Sequence, residues 1–138
     1  MKTRILLIAL IFGLVLSGCA SQAKAESMPE GPERDAVVAD TDVFAQDIVS
    51  GLDNSDYATF SKDFDQTMTA SITKEAFDNL VKQFGTLGKS ESIELQDVQI
   101  NGEYYSAIYK VNYGSQQVTI RLVVNQDAPR LVSGLWFK

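Results

Sequence analysis

The sequence contains no histidine and only one cysteine among its 138 residues. Histidine is the commonest general base in proteins and the commonest metal ligand, so its absence argues against both kinds of site. The single thiol, Cys19, cannot form a disulfide within the chain and has no histidine to activate it as a nucleophile. We therefore expect a domain with no catalytic thiol, no metal and no cofactor.

Basic residues are also few, with 12 Lys and Arg against 18 Asp and Glu. Removal of residues 1–18 would take away two basic and no acidic residues, which lowers the net charge from −6 to −8. Nucleic-acid binding needs clustered Lys and Arg, so we expect no nucleic-acid partner. A negative surface also gives no electrostatic attraction to an anionic membrane. The length is sufficient for one modest domain.

One uninterrupted apolar run occurs near the N-terminus, in residues 5–16. A helix of twelve residues is about 18 Å long, which is shorter than the roughly 30 Å hydrocarbon core of a bilayer. Lys2 and Arg4 precede the run, and small residues follow it. This order is typical of a signal peptide, which we assign to residues 1–18. The alternative is a buried helix of the domain.

Leu16, Ser17, Gly18 and Cys19 resemble the lipobox at which prokaryotic lipoproteins are processed. The resemblance implies that Cys19 carries the lipid and becomes the first mature residue, on the outer side of the cytoplasmic membrane or in an outer membrane. Two or more acyl chains give stable attachment, so no membrane-spanning segment is required. The alternative is ordinary secretory cleavage after the sequence Ala-Lys-Ala at 23–25.

Residues 19–35 are predicted to form the lipidated cysteine and a flexible tether. After Cys19 they are mostly small, polar or charged, with two prolines and one glycine, so they cannot bury a core. A single α+β domain is predicted for residues 36–138.

Three amphipathic helices are predicted at the start of this domain. The first carries an apolar stripe and ends near Gly51. The second is expected to begin after an N-cap at Asn54 or Ser55, and the third after Thr73, with Gly85 as its end. The stripes of the three helices are, in order, Val37, Thr41, Phe44, Ile48 and Leu52; Tyr57, Phe60 and Phe64; and Phe77, Leu80, Val81 and Phe84.

From residue 92 the apolar period changes to two, which predicts four antiparallel strands in a meander. A change of phase between Leu95 and Val98 indicates a bulge in the first strand. The turns are predicted at Asn101-Gly102, at Gly114-Ser115 and at residues 125–129. In the last strand, simple alternation sets Leu131, Ser133, Leu135 and Phe137 opposite Val132, Gly134 and Trp136. Helices followed by strands predict an α+β fold with the helices on one face of a curved four-stranded sheet.

The segment from "LDNSDYATF" through "LGKSESI", with the closing "VSGLWF", resembles the prokaryotic lipoprotein domain of unknown function 3887. The resemblance covers about residues 37–138. It implies a cone-shaped fold of the nuclear transport factor 2-like or cystatin-like kind. It implies no particular activity, because the shared features are hydrophobic spacing and a few glycines.

Tyr105, Tyr109 and Tyr113 share one face of a predicted strand and are the candidate ligand-binding residues, together with Trp136. Tyrosine hydroxyls in a pocket can orient a ligand beside a carboxylic acid, but no strand places a carboxylate in phase with these tyrosines. We therefore favour aromatic packing, with the hydroxyls at the rim of the sheet. Trp136 is out of phase with its apolar neighbours, which predicts a position on the exposed face.

Four aspartates, Asp53, Asp56, Asp63 and Asp65, form an acidic cluster in sequence, and Asp-Asn-Ser-Asp at 53–56 resembles the start of a calcium loop. They lack the glycine and the distant glutamate of an EF-hand, so helix capping and solvation are the favoured interpretation.

The sequence thus favours a non-catalytic, lipid-anchored module that binds a ligand or a protein, with a homodimer through the sheet as one arrangement. The alternatives are a small enzyme with a tyrosine–carboxylate pocket and a structural spacer in the cell envelope.

Overall fold

A computed structural model describes residues 25–138. The predicted signal peptide and Cys19 lie outside the described residues. Within residues 25–138 no helix is long and apolar enough to cross a membrane.

The described chain folds as α+β, with four helices and five strands. In chain order the elements are β1 Glu26–Ser27, α1 Pro32–Asn54, α2 Tyr57–Phe60, α3 Gln66–Ser71, α4 Lys74–Gly85, β2 Ser92–Asn101, β3 Tyr104–Tyr113, β4 Gln116–Asn125 and β5 Val132–Phe137.

Helix α1 is the main helix packed on the sheet. Pro32 occupies its first turn, where the missing N–H costs nothing, and Glu33 and Asp35 favour the positive end of the helix dipole. The helix ends at Asn54, and its C-cap, Ser55, adopts a left-handed conformation with φ 56°. The predicted apolar stripe is buried throughout and faces the sheet.

The prediction of a tether through residue 35 is wrong for residues 26–28, which join the sheet, and for residues 32–35, which begin α1, so the sheet has five strands rather than four. Glu26 and Ser27 pair with Ile100 and Gln99 as an edge strand. Met28 then donates its N–H to Val98 O at 2.7 Å and is 7% exposed. Backbone groups can extend a sheet edge whatever the side chains, so the polar composition did not reveal this strand.

The predicted second helix is also shorter than expected. Its N-cap is Asp56, whose carboxylate accepts from the backbone N–H groups of Ala58 and Thr59, and α2 ends at Phe60. Phe64 lies instead at a parallel bridge to Val132 in β5. Pairing of the backbone beside Phe64 with β5 competes with the helix and ends it early.

The third predicted helix corresponds to α4, and its N-cap is confirmed. The Thr73 hydroxyl accepts from the Ala76 N–H at 3.3 Å, and Gly85 is the last helical residue.

The sheet is an antiparallel meander in the order β1-β2-β3-β4-β5. The predicted bulge is confirmed by a register shift between Leu95 and Asp97. The turns also lie where they were expected, and Gly102 and Gly114 each adopt φ 61°, which glycine accommodates without strain.

Simple alternation in β5 is wrong at Val132, which is fully buried. A second register shift follows, because Val124 pairs with Val132 whereas Val123 pairs with Gly134. The extra residue, Ser133, changes the phase of the strand, so Val132 shares the inner face with Leu135.

Candidate functional site

The three candidate tyrosines of β3, Tyr105, Tyr109 and Tyr113, lie on the inner face of the sheet, as predicted, and their side chains are buried against the helices. Two of the hydroxyls do not point to the sheet rim, because they form hydrogen bonds with side chains of α1. The carboxylates that the strands could not supply are therefore supplied by this helix.

Tyr109 makes the central contact of this kind and is 1% exposed. Its hydroxyl donates to Asp42 Oδ1 at 2.8 Å and lies 2.8 Å from Thr41 Oγ1. Burial, followed by the neighbouring Asp42 carboxylate, raises the pKa of Tyr109 above its ordinary value, although Thr41 acts in the opposite direction. Tyr109 is thus a neutral donor at physiological pH.

Tyr105 makes a second contact of this kind, in which its hydroxyl donates to the Glu33 carboxylate. This hydrogen bond is the largest cause of the raised pKa of Tyr105. The Arg130 guanidinium carbon lies 5.8 Å from the centroid of the Tyr105 ring, and Arg130 Nη1 donates to Asp40 Oδ2 at 2.8 Å. These contacts tie α1 both to β3 and to the β4–β5 connection.

Tyr113 differs from the other two tyrosines, because its buried hydroxyl has no hydrogen-bond partner among residues 25–138. Burial, with a smaller contribution from the negative charge of Asp53, raises the pKa of Tyr113 to about 12. Its ring packs edge-on against Phe84 in α4, with the centroids 5.9 Å apart. The residue serves packing.

Two of the four clustered aspartates cap helices. Asp56 caps α2, and hydrogen bonds from Thr59 lower its pKa. Asp65 accepts from the Met68 N–H at 2.7 Å and caps α3.

The other two aspartates have different surroundings. Asp53 accepts from the backbone N–H and the hydroxyl of Ser90, at 3.1 and 2.6 Å. Asp63 lies beside Asp47, and burial followed by this second carboxyl raises the pKa of Asp63. Within residues 25–138, no three or more acidic or cysteine side chains are placed to hold a metal ion.

Within residues 25–138 no helix covers the outer face of the sheet, and we call it the open sheet face. It is defined by the outward-pointing residues Glu94, Asp97 and Gln99 of β2, Ser106, Ile108 and Lys110 of β3, Thr119, Arg121 and Val123 of β4, and Gly134 and Trp136 of β5.

Trp136 is the most exposed large apolar side chain among the described residues, at 52%, and it lies on the open sheet face. The Arg121 guanidinium carbon is 5.9 Å from its ring centroid, at a distance typical of a cation–π contact. Arg121 Nη2 also donates to Ser106 Oγ at 3.1 Å, so the guanidinium lies across the strands. A groove of about 370 Å³ is lined by Ile108, Thr119, Arg121, Trp136 and Lys138.

Gly134 lies beneath the indole of Trp136. A Cβ atom at this position would come within 2.5 Å of Trp136 Cη2 and 3.3 Å of Val123 Cβ. The absent side chain therefore lets the ring lie over the strand. Trp136 is a candidate predicted from the sequence, but the sequence carries no signal that Gly134 or Arg121 supports it.

Charge is unevenly distributed on the open sheet face. Strands β3, β4 and β5 contain no Asp or Glu, although the chain has 18 acidic residues. Their basic residues are Lys110 and Arg121, whereas Glu94 and Asp97 of the same face belong to β2. Exposed Trp beside Arg is the composition of binding hot spots, so this face is suited to recognition.

The comparisons with known proteins identify the family. No curated protein and no solved structure matches the chain. Residues 45–129 match the family described as protein of unknown function, DUF3887. Since the match spans more than half of the sequence, the chain belongs to the DUF3887 family.

Proposed function

We propose that the protein is a lipid-anchored, extracytoplasmic interaction module that binds a partner through the open sheet face and performs no catalysis. Exposed Trp136 beside Arg121, on the open sheet face, is the observation that carries the proposal. The inner face is occupied by the protein's own helices and buried tyrosines, and the hydroxyls of Tyr105 and Tyr109 bond to side chains of α1, which opposes ligand binding at this face.

The anchor is proposed from the lipobox-like residues that end at Cys19. Mass spectrometry of the mature protein should find an N-terminus at Cys19 that carries acyl chains. A Cys19→Ser variant should be released from the membrane fraction. An unmodified Cys19, or a mature N-terminus beyond it, would contradict the anchor.

The interaction function is tested by photo-crosslinking in the native membrane. A photoreactive amino acid at position 136 should give adducts of discrete mass. The matched control is position 43 on α1, because Val43 is 49% exposed but lies outside the open sheet face. Equal labelling at both positions, or no adduct at position 136, would refute the proposal.

An alternative function is a small enzyme that uses a tyrosine–carboxylate pair. The hydrogen bonds from Tyr105 to Glu33 and from Tyr109 to Asp42 favour this alternative, whereas the burial of both tyrosines opposes it. Phe substitutions at the two tyrosines should abolish any turnover that such a site supports. Any turnover that survives both substitutions would exclude this mechanism.

A further inference from the structure

One row of side chains crosses the open sheet face in register. Cross-strand pairing aligns Asp97 with Ile108, Ile108 with Arg121, and Arg121 with Trp136. The row therefore reads acidic, apolar, basic and aromatic from β2 to β5. Its apolar member, Ile108, lies on the middle strand of the sheet.

We propose that the partner of the open sheet face is a second copy of this chain, packed face to face about a two-fold axis that runs along β3. This inference rests on the proposed interaction function and names its partner. The axis sets β4 of one copy over β2 of the other, so Arg121 of each copy faces Asp97 of the other copy. This contact therefore forms twice, once on each side of the axis. Ile108 then meets Ile108 of the second copy at the centre.

The charge pattern favours a two-fold axis along β3 over a two-fold axis across the strands. A two-fold axis across the strands would set β4 over β4 and bring Arg121 toward Arg121 of the second copy. The axis along β3 does bring together two copies of Lys110. However, each Lys110 has Glu94 as its cross-strand neighbour, which compensates the charge.

A partner of a single charge sign fits the face less well. An anionic surface or polymer would attract Arg121 and Lys110 but repel Glu94 and Asp97. The second copy presents both signs in the complementary order, and like charges facing each other are the usual means of excluding wrong partners.

The size of the overlap fits a weak dimer. The axis lays β2, β3 and β4 of one copy over β4, β3 and β2 of the other, whereas β5 lies opposite the short strand β1. Three strands spaced about 4.8 Å apart, with about 3.3 Å per residue, span a flat area of about 475 Å². Standard interfaces bury about 600–1,000 Å² per partner, so this overlap lies below that range, where weak associations are found. Anchoring in one membrane would raise the effective concentration of the two copies.

The same axis is compatible with two anchors in one membrane. Strand β1 enters the sheet at Glu26, opposite Ile100, near the β2–β3 turn. An axis parallel to the strands keeps this end of both copies on the same side. Six residues separate Cys19 from Glu26, and they reach about 20 Å when extended.

The test is a charge exchange in the mature lipoprotein, purified in detergent and measured by sedimentation equilibrium. Wild-type protein should form a dimer. Arg121→Glu and Asp97→Arg should each raise the dimer dissociation constant by about tenfold or more, and the double variant should restore the dimer. Lys82→Glu, an exposed change on α4, is the matched control and should have no effect.

A second measurement uses Trp136, the only tryptophan in the chain. Its emission should shift to shorter wavelength as the protein concentration rises through the dissociation constant. If Asp97→Arg does not fold, Asp97→Asn keeps an acceptor for Ser27 and Gln99, which both donate to Asp97. This variant should weaken the dimer without altering the thermal stability measured at concentrations where both proteins are monomeric.

A wild-type protein that is monomeric at every concentration would overturn the proposal, as would a dimer that neither single variant weakens. Failure of the double variant to restore association would overturn the pairing of Arg121 with Asp97. Crosslinking at position 136 separates this inference from the proposed function. An adduct of another mass would support an interaction face but refute the second copy.

Discussion

The hydroxyl of Tyr109 in β3 donates a hydrogen bond of 2.8 Å to Asp42 Oδ1 in α1. This bond joins the centre of the sheet to the first helix across 67 positions of sequence. Because Tyr109 is almost fully buried, water cannot readily replace Asp42 as the acceptor.

We expect Tyr109→Phe to lower the free energy of unfolding by about 1–3 kcal/mol, because the charged acceptor Asp42 loses its donor. Urea denaturation measures this change. Tyr104→Phe is the matched control, since Tyr104 is 43% exposed on the same strand, and it should change stability little. An equal loss in both variants would argue against a stabilising role for the Asp42 contact.

The buried tyrosines also predict a loss of stability at alkaline pH. Tyr109 and Tyr113 have raised pKa values in the folded protein, about 12 for Tyr113, compared with an ordinary value of about 10. The folded state therefore holds more protons than the unfolded state above about pH 10, and stability falls as the pH rises further. Denaturation curves between pH 8 and 12 should show this decline.

Tyr113→Phe is the control for the alkaline effect. It removes one of the tyrosines with a raised pKa, so the decline should become shallower, while stability at pH 7 should be unchanged or slightly higher. The hydroxyl that it removes is buried and has no partner within the described part of the chain. A decline as steep as that of the wild type would show that Tyr113 does not contribute.

Local sequence patterns predicted much of this fold because strand periodicity, bulges and helix caps depend on residues that are close in sequence. The period of two identified the tyrosine face of β3, the phase change near Leu95 identified the bulge, and Thr73 identified the start of α4. Each of these signals lies within a few residues of the feature that it predicts.

The errors occurred where distant segments decide the structure. Glu26 and Ser27 form a strand only because the edge of β2 is available, and Phe64 leaves the helix because its neighbours bond to Val132. The partners of the candidate tyrosines escaped prediction for the same reason. Asp42 and Glu33 lie in α1. The alternation of residues along the strands does not indicate which residues of a helix contact the tyrosines.

The contact between Gly134 and Trp136 predicts a spectroscopic effect. A methyl group at position 134 would meet the far end of the indole at 2.5 Å, and that side chain can move. Gly134→Ala should therefore displace the ring from the sheet and increase quenching of Trp136 fluorescence by acrylamide. Gly85→Ala is the control and should leave the quenching unchanged, because no described atom outside its own helix turn lies within 4 Å of the added Cβ.

The close packing of α1 against α2 predicts that a methyl group added at Gly51 lowers the free energy of unfolding more than one added at Gly85. Gly51 is buried in α1, and a Cβ at this position would lie 2.5 Å from Phe60 N and 2.6 Å from Phe60 Cα. These atoms belong to the backbone and cannot rotate away, so the two helices would have to separate. We expect Gly51→Ala to lower the free energy of unfolding by about 1–3 kcal/mol, in spite of the better helix propensity of alanine.

The matched control is again Gly85→Ala, at the end of α4. Its added Cβ meets no atom within 4 Å, so alanine should be neutral or stabilise the protein by up to about 1 kcal/mol. Urea denaturation of both variants separates close packing from helix propensity, because the same substitution should have opposite signs. If Gly51→Ala were as stable as the wild type, the close approach of α1 to Phe60 would be wrong. The aromatic cluster of Phe60 with Phe64 and Phe77 would then need another position beneath α1.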